Sequence, residues 1–300
     1  MGEWPPFGGD DLPRSGDDAR FVILPVPYEG TVTYRKGTAA GPRAILAASS
    51  QIELFDEELG LDPMRDGVQT CDGVTTDEMP DALAGQLEPR VRALLDAGRI
   101  PICLGGEHSI SLGPIRAAAR AFPGLGVLQL DAHPDLRDEY EGTKFGHGCV
   151  MRRALDLTEV ARLTSVGLRA VSGEDAEAMG DERVRPFFAH DLHRRPEAEW
   201  IDDVVATLPE TVYVTIDVDG FDPGIVPGTG TPEPGGLTWW PTMALLKRVC
   251  ETRRVVAFDV VEVIPEPPSS MSEFAAARCV MKMIAYLSVR DAGAPANEGP

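Results

Sequence analysis

Short apolar segments recur along this chain, with room for one helix in most of the gaps. They occupy 21–26 (Phe-Val-Ile-Leu-Pro-Val), 100–104, 125–130, 163–168, 184–188, 212–216 and 255–261. Most lack a polar residue at every second position, so they read as strands buried on both faces. A helix is expected from about Gly41-Pro42, with proline in its first turn, and Ile45, Ala48, Ile52 and Phe55 recur near helical spacing. Further helices are expected over Leu83–Ala97, over Ser111–Ala121 with Pro114 in its first turn, and over Ser272–Leu287. Strands alternating with helices predict an α/β fold, a three-layer αβα sandwich around a mostly parallel sheet. No linker, repeat or composition break interrupts residues 19–290, which are expected as one domain. Residues 1–18, rich in Gly, Pro and Asp, are expected as a flexible N-terminal arm, and 291–300 as a flexible tail.

Composition removes other classes. Of 300 residues, 43% are apolar and 25% charged, as in ordinary globular chains. The 31 Gly and 26 Pro fall short of low-complexity composition. No apolar run approaches the ~18 residues of a membrane span. The net charge of −20 opposes nucleic acid and anionic membranes and favours cationic small molecules. The five cysteines are scattered without a CxxC pair, and the start, Met1-Gly2-Glu3-Trp4-Pro5-Pro6, has no secretory pattern. A reduced, cytoplasmic protein is expected.

In parallel sheets, ligands sit beyond the carboxyl ends of the strands. After 100–104 comes Gly105-Gly106-Glu107-His108-Ser109; after 125–130 comes Asp131-Ala132-His133-Pro134-Asp135; after 212–216 comes Asp217-Val218-Asp219-Gly220-Phe221-Asp222-Pro223. If the extended conformation continued past each strand, Asp131 and His133 would face one point, and Asp217 and Asp219 another. Carboxylates gathered in this way repel one another unless cations neutralise them. Oxygen donors with a minority of imidazoles suit Mn(II), and Mg(II) or Fe(II) less well, whereas zinc usually recruits thiolate or more histidine. Six donors exceed what one ion with an open position needs, and two ions about 3.5–4 Å apart, bridged by carboxylates, would use them all.

These motifs resemble the ureohydrolase family of arginases, agmatinases and their relatives. The resemblance continues in Pro227-Gly228-Thr229-Gly230-Thr231-Pro232, in Asp259-Val260-Val261-Glu262-Val263 and in Tyr34-Arg35-Lys36-Gly37 followed by Gly41-Pro42. It runs from about residue 20 to 288. It implies the three-layer α/β fold, a centre of two Mn(II) ions per subunit and a trimer or hexamer. It also implies a hydroxide between the ions that attacks a guanidino carbon to release urea. Carried over by position, His108, Asp131, Asp135 and Asp217 would hold one ion and Asp131, His133, Asp217 and Asp219 the other. Asp131 and Asp217 would then bridge, and Asp135 would also orient the nucleophile. Glu262 matches the residue that holds the substrate guanidinium, by bidentate pairing. His147, in Phe145-Gly146-His147-Gly148, matches the histidine that hands a proton to the leaving amine. Thr231 is a further substrate-site candidate.

The substrate reading rests on departures within the resemblance. Arginases carry an Asn where this chain has Arg137, and an Asp shortly after Gly-x-Arg where this chain has Ala170-Val171-Ser172 after Gly167-Leu168-Arg169. Asp135–Gly142, Cys149–Arg153, Gly230–Leu237 and Ser272-Glu273-Phe274 resemble agmatinases instead. Agmatine, giving putrescine and urea, is therefore the expected substrate. Aminopropylagmatine, guanidinobutyrate and, less favoured, arginine are alternatives. A one-zinc deacetylase and an inert ureohydrolase-like binding subunit are readings of other classes; the complete donor set, His147 and Glu262 argue against both. Cys149 reads as packing, His190 and His193 as surface loop, Trp239-Trp240 as core or subunit contact, and Glu107 as support for its turn.

Overall fold

The structure is a computed structural model that describes residues 3–9, 16 and 18–292. Eight strands form one sheet: β1 (Phe21–Val26), β2 (Val68–Thr70), β3 (Ile100–Gly105), β4 (Leu125–Leu130), β5 (Val160–Leu168), β6 (Val184–Phe188), β7 (Thr211–Asp217) and β8 (Arg254–Val261). Their spatial order is β2-β1-β3-β8-β7-β4-β5-β6, and every pairing is parallel. Nine α-helices lie among the described residues: α1 (Gly41–Ser49), α2 (Pro80–Asp96), α3 (Leu112–Ala121), α4 (Val150–Leu155), α5 (Gly173–Ala178), α6 (Ala189–Leu192), α7 (Glu197–Thr207), α8 (Trp239–Thr252) and α9 (Met271–Ala292).

The two helical layers follow from strand periodicity. Successive side chains of a strand face opposite ways. Phe21 and Ile23 of β1 and Val212, Val214 and Ile216 of β7 join one core with α1, α7, α8 and α9. Val22, Leu24 and Val26 of β1 and Tyr213 of β7 join the other with α2, α3 and α4. Burying both faces explains why these strands carry so few polar residues, since each apolar side chain removed from water contributes ~1.5–3 kcal/mol. The αβα sandwich expected from the sequence is the observed architecture. No helix among the described residues is long and apolar enough to cross a membrane.

Three local expectations are corrected. Strand β2 was not expected: three residues on a sheet edge carry too little pattern to stand out. Helix α1 stops at Ser49, so Ile52 packs from the following turn and Phe55 lies 59% exposed rather than on the helix face. Residues 3–9 of the supposed arm are docked. Phe7 is buried, its N–H donates to Thr70 Oγ1 (3.0 Å), and the Gly8 N–H donates to Ser49 Oγ (2.9 Å). One aromatic anchor outweighs the Gly- and Pro-rich composition around it. Residues 1–2, 10–15 and 17 of the expected arm, and 293–300 of the expected tail, lie outside the described residues; Asp291 and Ala292 close α9.

Candidate metal centre and substrate cavity

The carboxyl ends of β3, β4, β7 and β8 converge on one cleft, because these four strands are neighbours in the sheet. Two tight turns set the donors. The His133 N–H donates to Asp131 Oδ1 (2.6 Å), and the Asp219 N–H donates to Asp217 Oδ1 (2.8 Å). Each Asp therefore bends the chain back two residues on, as Asp side chains do in turns. This corrects the extended geometry expected after the strands: residues 218–220 form a 3₁₀ turn, and convergence comes from bending. Gly220 permits it, since a Cβ there would lie 2.8 Å from the Asp131 nitrogen. Asp135 adopts a left-handed backbone (φ 53°), uncommon for a residue with a side chain.

Two donor clusters result, sharing Asp131: His108–Asp131–Asp135 and Asp131–His133–Asp219. His108 Nδ1 lies 3.2 Å from Asp131 Oδ2, 2.9 Å from Asp135 Oδ2 and 3.4 Å from Asp217 Oδ2, which brings the sixth expected residue to the first cluster. His133 Nδ1 lies 3.0 Å from Asp219 Oδ2 and 3.5 Å from Asp131 Oδ1. His108 Nδ1 is buried yet has no hydrogen-bond partner. The opposite ring nitrogen explains it. Thr215 Oγ1 donates its proton to Asp259 Oδ1 (2.6 Å), so at 2.8 Å from His108 Nε2 it can only accept. A ring proton thus sits on Nε2, and Nδ1 faces three carboxylates. Burial opposes charge on His108, but Asp131 and Asp135 raise its pKa well above the ordinary value, favouring a proton or a cation on Nδ1. That is the arrangement a divalent cation requires.

Electrostatics point the same way. Burial, reinforced by the Asp131 charge, pushes Asp135 up to about 7. Burial, with Asp219, Asp131 and Glu262 nearby, pushes Asp217 well above the carboxylate range. Burial is opposed at Asp131 by His108 and His133, which hold it low. Without added positive charge these acids cannot all ionise together.

Beside the donors opens a cavity of about 320 Å³, within the size of small-ligand sites. His133, Asp135, Asp219, His147, Thr231 and Glu262 line it. All nine expected site residues therefore meet at one place, six of them on the cavity wall. Glu262 Oε1 accepts from the His108 N–H (2.7 Å), and Oε2 lies toward Gly230. A bidentate fork on Glu262 would share Oε1 with that N–H. Thr231 Oγ1 donates to Asp219 Oδ2 (3.4 Å), so it braces a donor as well as facing the cavity. His147 is pushed down to about 4, by burial first and then by the positive charges of His108, His133 and Arg137. Arg137 lines the cavity, its guanidinium 4.2 Å over the Tyr140 ring and 3.8 Å from Asp175.

A model of the arginase family matches residues 19–285. The chain belongs to the arginase family of ureohydrolases. The N(1)-aminopropylagmatine ureohydrolase of Synechocystis sp. is 38% identical over 90% of this chain and 89% of its own. The agmatinase of Pyrococcus horikoshii is 32% identical over 89% and 92%. Among solved structures, the agmatine ureohydrolase of Thermoplasma volcanium superposes with a TM-score of 0.82 at 32% identity, covering 90% of each chain.

Several residues that support this arginase-family site had no role assigned from sequence. Asp259 holds Thr215 and accepts from Tyr213 Oη (2.6 Å). Gln129 Nε2 donates to Asp131 Oδ2 (2.8 Å), and its Oε1 accepts from Ser165 Oγ (2.6 Å). The Arg169 guanidinium donates to the carbonyls of Gly167 (2.9 Å), Asp219 (2.6 Å), Phe221 (3.1 Å) and Glu233 (2.8 Å), tying the two loops that carry Asp219 and Thr231. One signal was available: a polar residue inside an otherwise apolar buried strand, as at Gln129, Thr215 and Asp259, needs a partner. The residues left as packing or surface are so placed, except that His190 and His193 belong to helix α6 and its C-cap rather than to a loop. Cys149 is buried, with Sγ near the Thr143 carbonyl. His190 is exposed beside Asp191, and His193 faces the Gly235 carbonyl. Trp239 stacks on Phe221, while Trp240 is exposed.

Proposed function

We propose that this chain hydrolyses the guanidino group of agmatine or of its N1-aminopropyl derivative, releasing urea and the corresponding amine. Putrescine would form from the first and spermidine from the second. The observation that carries the reading is the buried Nδ1 of His108, without a hydrogen-bond partner and facing three carboxylates beside a cavity that Glu262 lines. The fit to two Mn(II) ions rests on the oxygen-rich donors: His108, Asp131, Asp135 and Asp217 for one, and Asp131, His133, Asp217 and Asp219 for the other. When bound, such a pair supplies a strong nucleophile from water at neutral pH and Lewis-acid charge beside it.

The chain's own residues would do the rest. Glu262 accepts from the substrate guanidinium and fixes its plane. Asp135 orients the attacking group. His147, neutral at rest, takes up the proton released on attack and passes it to the departing nitrogen, without which an amine leaves poorly. The missing amino-acid contacts, Arg137 and Ala170-Val171-Ser172, favour a substrate without an α-carboxylate and α-ammonium. The similarity to the Synechocystis enzyme favours the longer aminopropyl substrate over agmatine itself. A cytoplasmic setting is supported by five cysteines scattered along the chain without a CxxC pair. The exposed Trp240, Met271 and Phe274 support assembly into a homo-oligomer.

The test is urea release by Mn(II)-loaded protein with agmatine, aminopropylagmatine, arginine and guanidinobutyrate. Urea from one of the first two, far above the others and abolished by chelator and by His133→Ala, is the expected result. Urea mainly from arginine or guanidinobutyrate would overturn the substrate assignment.

A further inference from the structure

Glu107 is fully buried, and its carboxylate is engaged on both oxygens. Oε1 accepts from Ser109 Oγ (2.5 Å) and from Thr31 Oγ1 (2.5 Å). Oε2 accepts from the Thr31 N–H (2.6 Å), and the Gly30 N–H also bonds this carboxylate. Four donors meet the roughly four acceptor sites of a carboxylate, so none is left over. Burial raises the Glu107 pKa and these four donors oppose it by stabilising the carboxylate; to that carboxylate the single proton of the Thr31 hydroxyl is committed. That hydroxyl also meets His147 twice. It accepts from the His147 N–H (3.1 Å) and lies 3.2 Å from His147 Nδ1. Having no second proton to give, it can only accept from Nδ1 as well.

The backbone brings these groups together. The Gly106 N–H donates to the Val26 carbonyl (2.9 Å) and the Glu107 N–H to the Tyr28 carbonyl (2.9 Å), which zips the segment after β1 onto the segment after β3. Gly106 is required there, because a Cβ would collide with the Tyr28 carbonyl. On its other side the His147 ring meets Tyr140 edge-on, with centroids 5.8 Å apart. The imidazole is thus clamped in place.

We infer that Thr31, oriented by Glu107, is a positioning residue that holds the proton of His147 on Nδ1 and leaves Nε2 as the nitrogen offered to the cavity. The assignment rests on the proposed reading in one respect, that His147 carries a proton during guanidino hydrolysis. The tautomer itself does not depend on that reading. The same residues explain why loop 27–33, which contributes no metal donor, lies against the site.

The experiment compares wild type, Thr31→Val and Thr31→Ser, each loaded with metal. With Mn(II), Thr31→Val is expected to lower kcat by about 10- to 100-fold, with KM within twofold and metal content unchanged; a histidine held in the wrong tautomer can cost far more. Thr31→Ser, which restores the hydroxyl, is expected to recover most of that loss. Independently of activity, ¹⁵N-histidine spectra of protein loaded with diamagnetic Mg(II) report the tautomer. The chain has five histidines, and His147→Gln identifies the relevant signal. Wild type and Thr31→Ser are expected to show His147 protonated on Nδ1, and Thr31→Val a mixture. Unchanged tautomer signals or an unchanged kcat in Thr31→Val would overturn the inference. Loss of metal from that variant would also overturn it, in favour of a merely structural role. If wild type releases urea from no guanidino compound while the tautomer responds as expected, the positioning stands and the substrate reading falls.

Discussion

Replacing Thr215 by valine removes one hydroxyl and almost no volume. In the structure this hydroxyl donates to Asp259 and accepts from His108 Nε2, which fixes the ring so that Nδ1 faces Asp131, Asp135 and Asp217. Asp259 keeps the Tyr213 donor at 2.6 Å, so the variant is expected to fold. Partners behind metal-binding histidines are worth about 10–100-fold in affinity. A 30-fold loss, near the middle of that range, is about 2 kcal/mol. At a cation concentration 100 times the wild-type Kd, binding stabilises the fold by ~2.7 kcal/mol, and after a 30-fold loss by ~0.9 kcal/mol. For 300 residues the unfolding entropy is about 0.6 kcal/mol/K, so the metal-induced rise in Tm should shrink by about 3 °C. The assay is thermal unfolding with chelator and with saturating wild-type cation, together with direct titration of Kd. Comparing the metal-induced rise, rather than Tm itself, cancels the hydrogen-bond cost common to both states. An equal rise in Thr215→Val and wild type, or Thr215→Ser behaving like valine, would refute the role given to the hydroxyl.

Three further outcomes are expected. Lys282, buried at 1% exposure, lies 2.9 Å from the fully buried Asp56 and 3.1 Å from Glu58; Lys282→Met should cost about 3–5 kcal/mol by leaving an uncompensated buried charge, and adding Asp56→Asn should recover much of it in chemical denaturation. Arg169→Lys cannot reach four carbonyls at once, so cation binding at the cluster containing Asp219 should weaken, read by metal titration. His147 lies at about 4 when folded against an ordinary ~6.5 when unfolded, so the unfolded chain binds the extra proton between those values. Its contribution to stability is complete above ~6.5 and is lost as pH falls toward 4; His147→Asn should flatten that part of the stability–pH curve, and an unaltered curve would contradict the burial of the ring.

Much of the chain was readable without coordinates. Buried parallel strands leave near-continuous apolar runs, and the order of such runs and amphipathic helices dictated an αβα sandwich. The metal donors were legible because they follow strand ends and are chemically unusual together. Glu262 and His147 became candidates only through the family resemblance, since neither stands out locally. Other features left no trace in sequence. Phe7 looked like part of a loose arm because nothing local says where an aromatic side chain will dock. The bent turns that aim His133 and Asp219 depend on a carboxylate two residues earlier, which the apolar pattern does not encode. Thr31, 76 residues from Glu107, meets it because β1 and β3 pair, and it meets His147, 116 residues on, only because the segment after β4 packs against the same loop. Sequence by itself determined which elements form and which donors end each strand, because periodicity and turn chemistry act over a few residues. Which proton sits on which imidazole nitrogen was decided by the tertiary structure alone, because that depends on hydrogen-bond partners brought from distant strands.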